Sequence, residues 1–320
     1  MNRDYHDLPY GITCIDTHYN RPQMAASFLL VEQGKAAFIE TGPLLAVPRL
    51  MEGLKRVGLK PQDVEAVIVT HVHLDHAGGA GELMRCCPSA KLYVHEAGAD
   101  HMIDPTKLKA SAMAVYGEEL FKAALGDIIP TPEERVVKPG DGETLSIGGR
   151  VLHFYDTPGH ARHHFCVWDP TSQGLFTGDA FGISYREFDG GSRPFIFPPT
   201  TPVQLDPERF HQSLDRLAAL KPKWLYLTHF GALPYQPEFL SSLHTQLDQY
   251  VAMAKKARIQ GVSNHQQLLS DLRKQALTAL KELNAPIDNT LAVTLLASDQ
   301  EINAQGLEVW LDRLEKHKGK

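Results

Sequence analysis

No stretch of the chain approaches the roughly twenty consecutive apolar residues that a membrane-spanning helix needs, so no membrane span is expected. Residues 1–10 are polar and lack the apolar core of a signal peptide. Cysteine is scarce, only Cys14, Cys86, Cys87 and Cys166; none forms a CxxC, and adjacent Cys86 and Cys87 are poorly placed to pair. A reduced, cytoplasmic protein is the expectation. Long basic runs are missing too, and the formal net charge is −6, which argues against a nucleic-acid groove as the main feature. Also absent are a GxSxG nucleophile motif, a fixed-period repeat and a low-complexity linker.

What remains is an ordinary globular composition, 43% hydrophobic and 22% charged, enough for a sizeable core. The 320 residues allow one large domain, or one domain with an appendage. Ser27 to Val31 and Ala36 to Ile39 flank a Gln33-Gly34 turn and read as a hairpin. Leu45 to Val57 carries a helical stripe, with Pro48 in the first turn where proline is tolerated. Ala66 to Thr70 and Lys91 to His95 read as strands, and 97–125 as helix with a break near Asp104-Pro105. A second hairpin turns at Gly148-Gly149, and strands at Phe165 to Trp168 and Gly174 to Thr177 pair across Pro170. Residues 182–206 show no period and read as a functional loop. Then come a helix from Pro207 to Leu220 and a strand from Trp224 to Thr228. Beyond 237 the expected helices are 239–257, 266–283 and 306–316.

The informative stretch is His71-Val72-His73-Leu74-Asp75-His76, four metal-capable side chains at the C-terminal end of a β-branched strand and followed by Gly78, Gly79 and Gly81. On an extended chain His71 and His73 point the same way. Asp75 and His76, past a turn, face a second point. Imidazole and carboxylate in that pattern suit two adjacent metal ions. Three more strand ends each carry one candidate: His160, Asp179 and His229. Taken singly, each is most simply structural. Together they complete a sensible set: His71, His73 and His160 for one ion, Asp75, His76 and His229 for the other, and Asp179 bridging both.

The pieces His71 to His76, Thr157-Pro158-Gly159-His160, Thr177-Gly178-Asp179 and Thr228-His229-Phe230-Gly231, in that order, resemble the metallo-β-lactamase superfamily. The resemblance implies an α/β fold, an αββα sandwich with a dinuclear site at one sheet edge, over residues 1–236. Residues 237–320 would be a helical C-terminal extension outside the minimal fold. The complete HxHxDH set looks more like glyoxalase II and related hydrolases than true β-lactamases. One departure is Glu40 before Thr41-Gly42, where the family usually has Asp; Glu40 reads as a group that orients ligands rather than binding metal. His164 matches a second histidine that often follows the His160 motif, and His163 is a weaker candidate.

Two divalent cations sharing a solvent oxygen would generate a bridging hydroxide near neutral pH, polarise a carbonyl or phosphoryl oxygen, and need no serine or cysteine nucleophile. Asp75 would also orient that hydroxide or shuttle a proton. The expectation is a metal-dependent hydrolase of a small ester, thioester, lactone or phosphodiester. Zinc is the first choice of metal, with iron and manganese also suited. The alternatives are an iron-dependent oxygenase, an oxygen-binding diiron protein, or a non-catalytic regulator on the same fold. Flavodiiron proteins, which carry Glu where His73 stands, fit less well. A small-molecule substrate is expected, with no nucleic-acid or membrane partner. The tail helices would either cap the site or form a homodimer interface. His18, Tyr19 and Arg21 are candidate pocket residues, and Tyr185, Arg186, Arg193, Phe195 and Phe197 candidate contacts for an anionic, partly apolar substrate.

Overall fold

A computed structural model describes residues 4–259 and 262–318. The chain divides into two compact units. The first holds residues 1–156, 163–178 and 221–235, and the second 157–162, 179–220 and 236–320.

The first unit contains two sheets. Strands β1 (Tyr5–Leu8), β2 (Ile12–Asp16), β3 (Ala26–Glu32), β4 (Lys35–Ile39), β5 (Val64–Ile68), β6 (Lys91–Tyr93) and β7 (Val136–Val137) lie in that order, antiparallel up to β4 and parallel thereafter. Strands β8 (Thr144–Ile147), β9 (Arg150–Asp156), β10 (Phe165–Asp169), β11 (Gly174–Gly178), β12 (Trp224–Leu227) and β13 (Gly231–Pro234) form the second sheet, with only β11 and β12 parallel. Alternation decides the faces. Phe28, Leu30, Ala37, Ile39, Ala66 and Ile68 point inward and meet Leu152, Phe154, Phe165, Val167, Phe176 and Tyr226 from the other sheet. Phe28 and Phe176 pack edge to face with centroids 5.4 Å apart. Leu29, Phe38 and Val67, one residue out of phase, face the helices on the outer side.

Those helices are α1 (Val47–Arg56), α2 (Leu74–Ala77), α3 (Ala80–Cys86), α4 (Glu96–Ile103), α5 (Thr106–Tyr116) and α6 (Glu118–Ala124). The hairpin at Gln33-Gly34 is present, both residues having positive φ as its two-residue turn demands. The helix expected over 97–125 breaks near Asp104 and again at Gly117, whose φ is 78°.

The second unit carries α7 (Pro207–Ala219), α8 (Pro237–Ala257), α9 (His265–Glu282) and α10 (Asn289–Lys318). The expected tail helices hold buried stripes: Phe239, Leu243, Leu247 and Tyr250 in α8, and Leu268, Leu272, Ala276 and Leu280 in α9. No helix among the described residues is long and apolar enough to cross a membrane. The last helix starts well before the expected Gly306, which sits inside it. There a Cβ would lie 1.6 Å from the Thr200 carbonyl oxygen, so glycine serves close approach of two backbones rather than a helix end. The aromatics of 182–206 pack into the interior of this unit. Tyr185, Phe188, Phe195 and Phe197 are buried against one another, and Tyr185 Oη donates to Asp299 Oδ1 at 2.9 Å. Arg186 is held by the Ser184 carbonyl and by Asp189. Irregular backbone made that segment look like a loop; its side chains make it core.

His265, at the start of α9, sits between Glu308 and Glu301 of α10, each 3.1 Å from a ring nitrogen. Burial works to lower its pKa, but the two carboxylates outweigh that and hold it above the usual histidine value. A raised folded pKa means the contact stabilises fully below the unfolded pKa of about 6.5 and fades as pH rises through the folded value. His265→Gln should therefore lower the melting temperature below about pH 6.5 and have a diminishing effect as pH rises above it, as read by thermal denaturation at several pH values. Gly306→Ala should destabilise the fold by about 1–3 kcal/mol through overpacking against Thr200, measurable in urea unfolding.

Candidate metal centre

The HVHLDH stretch leaves β5 as expected. Val69 and Thr70 extend past the strand, His71 follows in a bend, and His73 stands at the N-cap position of the one-turn helix α2 that carries Asp75 and His76. His71 and His76 are fully buried, whereas the Asp75 side chain is 24% exposed. His71 Nε2 lies 2.8 Å from His73 Nδ1. His229, just past β12, brings its Nε2 to 3.3 Å from His76 Nε2 and 3.3 Å from Asp75 Oδ2. Ligand atoms of Asp75, His76 and His229 all fall within 4.8 Å of one another. So the structure brings together five of the seven expected ligands within the first unit: His71, His73, Asp75, His76 and His229.

The other two lie in the second unit, also side by side. His160 Nε2 is 3.4 Å from Asp179 Oδ2, and both residues are buried. Asp179 follows Gly178, the last residue of β11. Gly178 has φ +48°, and a Cβ there would lie 2.4 Å from Thr70 Oγ1 and 2.6 Å from His164 Nε2. The Thr-Gly-Asp motif needs glycine for that reason.

The ring nitrogens follow one rule. His76 Nδ1 faces Glu40 Oε1 at 3.2 Å, His229 Nδ1 the Met24 carbonyl at 2.7 Å, His160 Nδ1 the Pro199 carbonyl at 3.1 Å, and His71 Nδ1 the Thr70 hydroxyl at 3.1 Å. A protein oxygen on Nδ1 fixes the ring and turns Nε2 outward as the ligand nitrogen, the arrangement of metal-binding histidines. His73 is the exception, presenting Nδ1. Glu40 lies among these side chains, and a carboxylate oxygen of it and ring nitrogens of His71 and His76 fall within 4.8 Å of one another. The buried Glu40 carboxylate accepts from Thr70 Oγ1, from the Thr70 backbone N–H at 3.3 Å and from Thr228 Oγ1 at 3.4 Å, in addition to its contact with His76.

Two histidines carry more than the sequence suggested. His164 is fully buried, with its ring 4.9 Å from that of His71. His163 stacks on His71 at 6.1 Å and its Nδ1 accepts from the Val72 N–H at 3.5 Å. Their signal was weak because they lie in the turn before β10, where no period applies, and only the fold shows that both reach the same ring. His18 is held elsewhere, by Asp4 at 2.9 Å and Asp16 at 3.5 Å.

This donor set suits divalent cations. Within each unit imidazole nitrogens and carboxylate oxygens lie 2.8–3.4 Å from one another, and both are ligand types that such cations take.

Comparison with known proteins gives one family. The model of the metallo-beta-lactamase superfamily matches residues 20–229. A metallo-beta-lactamase fold-containing protein of Sulfurisphaera tokodaii is 32% identical over 171 residues, 52% of this chain and 61% of that protein. The chain thus spans less than two thirds of that relative's length. A hydroxyacylglutathione hydrolase of Salmonella typhi is 21% identical over 79% of this chain and 84% of its own. Among solved structures, a metallo-beta-lactamase family protein of Thermus thermophilus matches with TM-score 0.64 and 24% identity, over 87% of this chain and 92% of that one. This likeness bears out the α/β class, two sheets with helices.

Glu40→Gln keeps the side-chain volume but places an amide N–H₂ where the carboxylate now meets only donors. The variant should stay folded by circular dichroism and lose about 10–100-fold in metal affinity, checked by competition with a chelator.

Proposed function

The chain belongs to the metallo-β-lactamase superfamily, and on that premise we propose that it is a dinuclear metal-dependent hydrolase of a small ester, thioester, lactone or phosphodiester. The superfamily includes hydroxyacylglutathione hydrolases, thioesterases and a lactonase. The observation that carries the reading is the pairing of a solvent-reaching Asp75 carboxylate with His76 and His229, whose Nδ1 atoms are already committed to protein oxygens.

In this reading His71, His73 and His160 would hold one divalent ion and Asp75, His76 and His229 the other, and Asp179 would serve both. Zinc is proposed, with iron or manganese as substitutes. Bound ions supply an acidified water and a Lewis acid for the scissile carbonyl or phosphoryl oxygen. The chain does the rest. Glu40, Met24 and Pro199 hold the His76, His229 and His160 rings in one tautomer. His163 and His164 exclude water from the His71 ring by packing on it. Asp75 Oδ2, at the exposed edge, takes the proton released by attack and delivers it to the leaving group.

The test uses metal-defined protein on a panel of aryl esters, acyl thioesters, lactones and phosphodiesters, with and without oxygen. Equal turnover in both atmospheres is expected, together with two metal ions per chain by elemental analysis. Chelation should abolish activity and zinc or manganese should restore it. Asp179→Ala should abolish turnover while the fold survives. Strict dependence on iron and oxygen, or one ion per chain with no second site on titration, would overturn the reading.

A further inference from the structure

Helices α7 and α8 set a different histidine cluster face to face. His211 and Asp215 are one turn apart on α7, and His244 and Asp248 repeat the spacing on α8. A separation of four puts each pair on one side of its helix. The pairs then cross over. His211 Nε2 is 3.2 Å from Asp248 Oδ1, and His244 Nε2 is 3.0 Å from Asp215 Oδ1. The rings lie near parallel, planes 12° apart with centroids 4.8 Å from each other, and the two Nδ1 atoms face each other at 2.5 Å.

This exchange fixes the chemistry of the facing nitrogens. An ionised carboxylate only accepts hydrogen bonds, so each Nε2 carries its N–H toward the aspartate. A neutral imidazole has one N–H, so both Nδ1 atoms present lone pairs. Two lone pairs at 2.5 Å repel unless positive charge lies between them. A carboxylate behind the far nitrogen is also how metal-binding imidazoles are oriented and made more basic. Bonds of about 2.0–2.1 Å to a tetrahedral ion would place the nitrogens ~3.3–3.4 Å apart, so the rings need open by less than about 1 Å. Each side chain is 26% exposed, which leaves room for that movement and for water to complete the coordination.

We propose that His211 and His244 form a separate metal site, taking one zinc-, nickel- or copper-class ion through their Nδ1 atoms and clamping α7 to α8. Asp248 and Asp215 orient the rings from behind. None of these four residues is among the ligands assigned to the hydrolytic centre, so the site stands or falls independently of that assignment.

Isothermal titration of the full chain with Zn²⁺ tests this. The wild type should take up one more ion per chain than His211→Ala or His244→Ala, and excess zinc should raise the melting temperature of the wild type more than that of either variant. Asp215→Asn should weaken the extra class about 10–100-fold without removing it. His244→Gln preserves side-chain bulk and should behave like His244→Ala, which separates loss of a ligand from loss of packing. Equal zinc stoichiometry in wild type and variants, with equal response to excess zinc, would show that the pair holds only a proton and would overturn the proposal.

Discussion

The carboxylate of Glu40 is the constraint on which the centre depends. It is 1% exposed, and a charge so far from water must be met by donors. Thr70 past β5, Thr228 past β12 and His76 on α2 supply them. These three donors come from both sheets, so one side chain ties the ends of the sandwich together at the point where ligands emerge. Glu40 adopts φ +66° to do it, a conformation a non-glycine residue holds only when its surroundings over-determine it. Apolar alternation brings the strand ends to one level; the carboxylate then holds the His76 ring.

Much of this was legible in the sequence for a simple reason. Ligands at strand ends sit beside short apolar runs, and a run of five residues such as Ala66 to Thr70 announces itself. The hairpins at Gln33-Gly34 and Gly148-Gly149 were equally readable from their turn chemistry. Less readable were elements whose logic is tertiary. β1 is polar because it lies at a sheet edge, and β13 ends in proline, which only an edge strand tolerates. Gly306 reads as a breaker, but its partner Thr200 is a hundred residues away in the chain. The same distance hid Asn303, whose Oδ1 accepts from the Thr200 N–H at 2.6 Å and whose backbone carbonyl accepts from the Thr200 hydroxyl. No local pattern marks a polar residue that a remote backbone requires.

Histidine serves two purposes here, and the backing atom separates them. Around β5 and β12 the backing oxygens are a backbone carbonyl or buried side chains, fixed by the fold. Between α7 and α8 they are exposed aspartates on the opposite helix. The first arrangement is preorganised and rigid. The second depends on two helices keeping register, and side chains that face solvent adjust at little cost.

The interrupted course of the chain has a consequence for how the protein is made. The first unit is left after Asp156, rejoined at His163, left again after Gly178 and completed only at Tyr235. Strand β11 must wait for β12 as its parallel neighbour, and the inter-sheet core lacks Tyr226 and Phe230 until then. At synthesis rates of about 5–20 residues per second, a nascent chain carries that open sheet edge for several seconds. Non-local parallel pairing is intrinsically slow, and an unpaired apolar strand is a template for other chains. The moment of greatest hazard for this architecture therefore falls on the ribosome, before the last two strands of its second sheet exist.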